Sequence, residues 1–236
     1  MSQIPWTCPN CGSPPILNEE PTECEEMEQL HDSRMSRVKC TSCDKSVAVA
    51  HRGRLHSLEM LLTDRLKTAK GCYSVQTESD RLVLFTLSQI IYKELEAPQE
   101  NLLEFEFDLP PPTDLAKILW IDGEAAGFYS VKPKGTLDME TLQTYAMPTL
   151  DTIFIRQTYR RQGLASLAVQ DVSSTFPHLD IGFSYPISLA MLKVLGKHLE
   201  ERAEDRPRFW EITGCGREGN CRNLWLILQR QRKKVA

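Results

Sequence analysis

Two groups of residues have types and spacings that chemistry can use. The first is a pair of Cys-x-x-Cys turns, Cys8 with Cys11 in "CPNCG" and Cys40 with Cys43 in "CTSCD". Each turn can present two thiolates, and two such turns make a tetrahedral four-cysteine site for structural Zn2+. Cys24 and His31 lie between the pairs and could substitute as ligands. The second group is "YRRQGLASLAVQDV", Tyr159 to Val172, where two arginines and a glycine precede small and apolar residues at helical spacing. The first N–H groups of a helix have no internal partner and its dipole makes that end positive, so it suits an anion, above all a phosphate. Gly163 would let a phosphate approach without a Cβ in the way. Ala165 keeps the next turn small, and Arg160 and Arg161 can add charge-assisted hydrogen bonds. A turn glycine beside solvated arginines explains the same residues, and the pattern alone leaves both readings open.

Several elements must position these groups. Leu164, Leu167, Ala168 and Val172 fall on one helical face, predicting a helix from about Gly163 that stops before Pro177. Ahead of it "TLDTIFIRQT" reads as a central strand, apolar on both faces around Ile153 to Ile155. "DLAKILWIDGEAAGFYSVKP" reads as a hairpin with arms Leu115–Trp120 and Ala125–Lys132 and its tight turn at Asp122–Gly123. "RLVLFTLSQIIYKEL" predicts a helix from Arg81 to Leu95, with Leu84, Leu87, Ile91 and Leu95 on one face. Leu103 to Leu109 alternates apolar and acidic residues and reads as a strand ended by Pro110, Pro111 and Pro112. "LDIGFSY", "RFWEITG" and "LWLILQR" read as later strands, and "ISLAMLKVLGKHLEE" as a helix. Together these predict an α+β protein with a mixed, mostly antiparallel sheet flanked by helices, residues 55–236, preceded by a small zinc-ribbon-like head, residues 1–54. A head of that size has too little core to fold without a metal staple.

The 236 residues carry a formal net charge of −4, which argues against a whole-surface nucleic-acid binder. No apolar run approaches the ~20 residues of a membrane span, and the N-terminal stretch lacks a secretory pattern. A reducing compartment is therefore expected, with the eight cysteines as thiols or metal ligands. The run of glutamates from Glu19 to Glu28 reads as a solvated loop and "QRQRKK", Gln229 to Lys234, as a solvated terminus or a localisation signal.

"Arg160-Arg161-Gln162-Gly163-Leu164-Ala165" resembles the (Gln/Arg)-x-x-Gly-x-(Gly/Ala) signature of the GCN5-related N-acetyltransferase superfamily, and it follows a strand ending at Ile155. The resemblance covers roughly residues 65 to 228, with only the signature specific. It implies an acyl-CoA N-acyltransferase-like fold, an acetyl-CoA pyrophosphate on the loop from Arg160 to Ser166, and pantetheine beside Phe154 and Ile155. Within that superfamily, "AKILWIDGEAAGFYSVKPKG", "LDTIFIRQTYR" and "YPISLAMLK" are similar to the soluble lamin-associated protein family, from about Leu66 to Gly216. That likeness implies a nuclear or nuclear-envelope setting and an association with the nuclear lamina, which in that family can need a longer C-terminal tail.

Acetyl transfer to an amine of a protein or peptide needs a place for protons. The superfamily often uses a carboxylate on the central strand, which implies Asp151 as base, on the face of Ile155 by period two. Strand termination or a bond to nearby backbone is the rival reading of Asp151. Many members carry a tyrosine on the helix after the next strand to protonate the leaving thiolate. The corresponding stretch here is Ala190-Met191-Leu192-Lys193-Val194, without one. Tyr185 could reach the thiolate or pack at its strand end, and His198 reads as a surface-helix residue. The expected activity is thus acetyl-CoA-dependent N-acetyl transfer. A transferase-like fold without catalysis, acting as a nuclear interaction module, is the alternative, and a zinc-dependent nucleic-acid adaptor ranks below both.

Overall fold

The computed structural model describes residues 8, 10–13, 17–20, 35–64 and 66–235, so Cys24 and His31 lie outside the described residues. Four strands make a first sheet in sequence order: β1 (Leu17–Glu20), β2 (Met35–Cys40), β3 (Ser46–His51) and β4 (Arg54–Ser57), all antiparallel. Ser57 ends the sheet and caps α1 (Leu58–Leu62), accepting the Met60 N–H at 3.2 Å. β3 is buried along its whole length.

β3 is covered by α1 and by the long helix that follows it, rather than by its own sheet. After β5 (Gly71–Ser74), Thr77 and Asp80 close a capping box that starts α2 (Glu78–Phe85). The Thr86 hydroxyl bonds the Leu82 carbonyl at 2.8 Å while its N–H spans Leu82 and Val83. From there the helix widens into a π-helix, Thr86–Leu95. The expected helix is therefore present, with its second half wound differently. Leu84, Leu87 and Ile91 are buried as expected, while Leu95 is exposed. Val49 of β3 packs with Leu61, Leu82, Phe85 and Ile90. The Glu94 carboxylate accepts from the buried Ser46 amide (3.1 Å) and hydroxyl (2.8 Å) and from Arg37 (3.2 Å). This one side chain grips both flanks of the second cysteine turn.

Seven strands make the second sheet, in the order β11-β10-β9-β8-β7-β6-β5. The expected hairpin is β6 (Leu115–Ile121) and β7 (Glu124–Lys132). Its turn residues Asp122 and Gly123 both have positive φ, 52° and 82°, as a type I′ turn requires. β8 (Thr149–Ile155) is the fourth of the seven strands, hence central. α3 (Leu164–Thr175), β9 (Ile181–Ser184), α4 (Leu189–Glu201), β10 (Phe209–Ile212), β11 (Cys221–Asn223) and α5 (Leu224–Val235) follow. β9 runs parallel to β8 and β10, and the other four pairings are antiparallel. One face of the sheet packs on α3, α4 and α5 through Tyr129, Leu150, Phe183, Leu164, Ala168, Leu195 and Leu228. The other packs on α2 and the π-helix through Trp120, Phe128, Phe154, Leu84 and Leu87. The chain is α+β with a mixed, mostly antiparallel sheet, as expected.

Two expected strands are absent. Leu103–Leu109 is irregular: it pairs with no strand among the described residues, and Phe107 instead stacks on Tyr92 at 4.4 Å while the Tyr92 hydroxyl bonds the Phe105 carbonyl. "LWLILQR" is the start of α5, because the Asn223 side chain caps the Leu226 N–H and Leu224 and Leu228 both enter the core. His198 is also misread as a surface residue. It is buried, bonded to Asp205 at 2.7 Å and stacked on Phe209. Ser173 and Arg208 join the same carboxylate, tying α3 and α4 to the residue just before β10.

Glu94→Ala leaves the buried Ser46 donors without an acceptor. A loss of about 1–3 kcal/mol in denaturant unfolding is expected, with faster amide exchange at Ser46. The His51 hydrogen bond to Glu78, 2.6 Å long, holds the Glu78 carboxyl below the ordinary carboxylate range. A depressed folded value means that this contact stabilises above about pH 4 and is lost as the pH falls through the folded value. Glu78→Gln should therefore flatten the acid limb of the stability curve below about pH 4 without changing its slope near neutrality.

Candidate functional site

β8 breaks its own regularity at one residue. Thr152 pairs with Ser130 and Leu150 with Val131, so Asp151 is the extra residue of a β-bulge. The bulge overturns the period-two expectation for this position. Ile153 and Ile155 pack on the α3 side, whereas Asp151 bonds Ser184 and Lys132 on the opposite side. On its other edge β8 meets β9 only at Thr149–Gly182 and Leu150–Phe183. A Cβ at Gly182 would stand 2.7 Å from the Thr149 hydroxyl, so glycine is what lets the strands meet there. Beyond Leu150 the two strands part, and among the described residues the β9-side edge of β8 has no strand pairing from Asp151 to Ile155.

The parted edge leads to the start of α3. After β8 the chain makes a short 3-10 turn, Gln157–Tyr159, whose first N–H is held by Glu96 at 2.5 Å. Gly163 then takes a left-handed conformation, φ 77°, and no side chain caps the helix. Leu164 is buried and Ala165 and Ser166 are half-buried. Arg161 and Gln162 are exposed. Arg160 is turned back, its Nε donating to the Ile155 carbonyl at 2.9 Å. Lys70, which no local pattern singled out, donates to the Gln162 carbonyl. The expected residues Arg160 to Ser166 thus share one corner of the molecule. Phe154 does not line the parted edge: it is buried with Tyr92 and Phe128 on the α2 side. Ile155 packs toward α3.

Around the bulge sits a polar cluster. Ser184 donates to Asp151 Oδ1 at 2.8 Å, and Lys132 Nζ stands 3.8 Å from Asp151 Oδ2 and 3.2 Å from Asp114 Oδ2. Burial pushes the Asp114 carboxyl up, against the pull of Lys132. Tyr145 lies with its ring 5.9 Å from Lys132 Nζ, and burial raises its phenol, with Asp151 adding to the effect. Asp114, Lys132 and Tyr145 were not read from the sequence, since each lies on a different segment. Tyr185 is 57% exposed at the end of β9 and is not a packed aromatic.

The four expected cysteines converge. The Sγ atoms of Cys8, Cys11, Cys40 and Cys43 all lie within 4.8 Å of one another, with Cys8–Cys43 at 3.7 Å and Cys11–Cys40 at 3.8 Å. A tetrahedron with Zn–S bonds of about 2.3 Å has edges of about 3.8 Å, so the spacing fits a zinc site of four thiolates. Each pair sits on a matching turn: the Gly12 N–H bonds the Cys8 carbonyl and the Asp44 N–H the Cys40 carbonyl, both at 2.8 Å. Hydrogen bonds from Ser13 lower the Cys11 thiol to about 6 and one from Ser42 lowers that of Cys40, while burial and the neighbouring cysteines push Cys43 up to about 12. Among the described residues no helix is long and apolar enough to cross a membrane.

No family model matches the chain. It is 38% identical over 193 residues to Protein FAM169B of Mus musculus, a match covering 80% of the chain and 57% of that protein. It is 36% identical over 144 residues to Protein FAM169BP of Homo sapiens, covering 57% of the chain and 74% of that protein. The chain thus spans little more than half the length of the mouse relative.

The cysteine geometry predicts about one zinc per chain by elemental analysis. Cys40→Ser should lose that metal and unfold the first sheet, seen as lost dispersion in the amide resonances of 35–57. Retention of a full zinc equivalent in Cys40→Ser would contradict the site.

Proposed function

The chain belongs to the FAM169B family, and from its own residues we propose that it is an acyl-CoA-binding, N-acetyltransferase-like protein. On this reading it has an acyl-CoA N-acyltransferase-like fold and transfers acetyl from acetyl-CoA to an amine of a protein or peptide. One observation carries the reading: β8 parts from β9 beyond Leu150, at the residue where it bulges, and the parted edge leads to the uncapped start of α3. A slender acyl-pantetheine can bond an unpaired strand edge, and its pyrophosphate suits the free N–H groups of Leu164, Ala165 and Ser166. Gly163 admits the phosphate, and Arg161 and Lys70 add charge.

In the reaction Asp151 takes a proton from the acceptor ammonium. The freed nitrogen lone pair attacks the thioester carbon, the C–N bond forms and the C–S bond breaks. The leaving thiolate takes a proton from the exposed Tyr185 hydroxyl, and the second proton shed by the attacking nitrogen replaces it through solvent. Zinc at the four cysteines is structural, holding the head together away from this chemistry.

Two observations favour a second reading, a catalytically silent fold acting as a nuclear or lamina-associated interaction module. No tyrosine lies among residues 190–194, and the Ser184–Asp151 bond spans the two strands where they part.

Calorimetric titration with acetyl-CoA tests the first reading. Saturable binding by the wild type is expected, weakened at least about tenfold in Gly163→Glu and several-fold in Arg161→Glu. Absence of binding by the folded wild type would sink the enzyme and leave the module.

A further inference from the structure

We propose that Asp114, Lys132 and Asp151 form a single proton-holding unit, with Lys132 and Asp114 as positioning residues for Asp151; the inference rests on the transferase reading above. Lys132 Nζ stands between the two carboxylates, 3.2 Å from Asp114 Oδ2 and 3.8 Å from Asp151 Oδ2. The Asp114 side chain is 1% exposed, and its other oxygen, Oδ1, is buried with no hydrogen-bond partner among the described residues. Its ionised form therefore depends on Lys132 to an unusual degree. The groups facing the unit come from every neighbouring element. Arg81 of α2 faces Asp114 while donating to the Pro110 carbonyl at 2.8 Å. Tyr145 of the β7–β8 connection covers Lys132, with Asp138 and Cys215 behind it, and Ser184 of β9 closes the cluster.

Two carboxylates that share one cation are coupled through it. That coupling has a use in amine chemistry. When Asp151 takes the N–H proton of an acceptor ammonium it becomes neutral, and a half-buried ammonium facing it alone would lose its partner. Lys132 does not, because its closer bond to Asp114 remains. The unit keeps one ion pair before and after the proton arrives, so the transfer strands no buried charge. Ser184 meanwhile fixes the direction of Asp151 with a bond to Oδ1, leaving Oδ2 to accept the proton.

Carboxyl-carbon NMR of labelled aspartate, following the Asp114 titration in the intact protein, tests the coupling. Asp151→Asn should lower the Asp114 midpoint by about half a pH unit or more, Lys132→Met should raise it by about one, and Lys132→Arg should leave it near the wild type. Unchanged Asp114 titration in both Asp151→Asn and Lys132→Met would overturn the unit. For turnover, Lys132→Met should lower kcat about tenfold with the KM for acetyl-CoA unchanged, and Lys132→Arg should restore it. Unaltered kcat in Lys132→Met would overturn the positioning role. A wild type that binds no acetyl-CoA defeats the transferase reading itself, and the titrations still decide the coupling.

Discussion

A central strand in a mixed sheet has to satisfy two neighbours of opposite direction, and β8 does so only as far as Leu150. Its antiparallel ladder with β7 continues to Ile155 by admitting one extra residue, Asp151, whereas its parallel ladder with β9 stops after two pairs. The rest of the site follows from that division. The bulge turns the Asp151 carboxylate toward Lys132 and Ser184. The unpaired edge leaves backbone groups that need partners, which is costly to leave unmet in a half-buried strand. Gly182 marks the point of contact and Gly163 the end of the path, each at a position that an added Cβ would obstruct or strain.

The N-terminal sheet bears on this region through short, direct contacts. Glu94 holds Ser46 and Arg37 on either side of the second cysteine turn, and two residues later Glu96 holds the Gln157 N–H at the start of the turn before α3. Tyr92, on the same π-helix, packs against Phe154 of β8. The second cysteine turn, the π-helix and the mouth of α3 are thus linked by hydrogen bonds and ring contacts, and the first sheet is seated on α1, α2 and the π-helix.

Local chemistry was legible in the sequence and long-range pairing was not. Asp122–Gly123 names its turn because positive φ at both residues suits a two-residue hairpin, and the cysteine spacing names its cluster because two such turns can face each other. Leu103–Leu109 alternates like a strand, yet among the described residues it pairs with none. Trp225, Leu226 and Ile227 suit a strand as well as a helix, and the Asn223 cap with the burial of Leu224 and Leu228 decides for the helix. The face of Asp151 depends on which β7 residue stands opposite it, information carried some 20 residues away at Ser130 and Val131. Lys70, Asp114 and Tyr145 reach the site from separate segments and leave no pattern where they stand.

On the transferase reading, the parted edge of β8 and the mouth of α3 receive one acyl-CoA molecule. Amide shift perturbation on adding acetyl-CoA tests it most directly, because it reports where the ligand lies. Perturbations should concentrate on residues 151–155, on Leu164, Ala165 and Ser166, and on Ser184. Shifts confined to the grooves of 370 and 580 Å³ along α5, lined by Leu226 and Arg230 and by Leu192 and Leu228, would contradict the account. So would none at all.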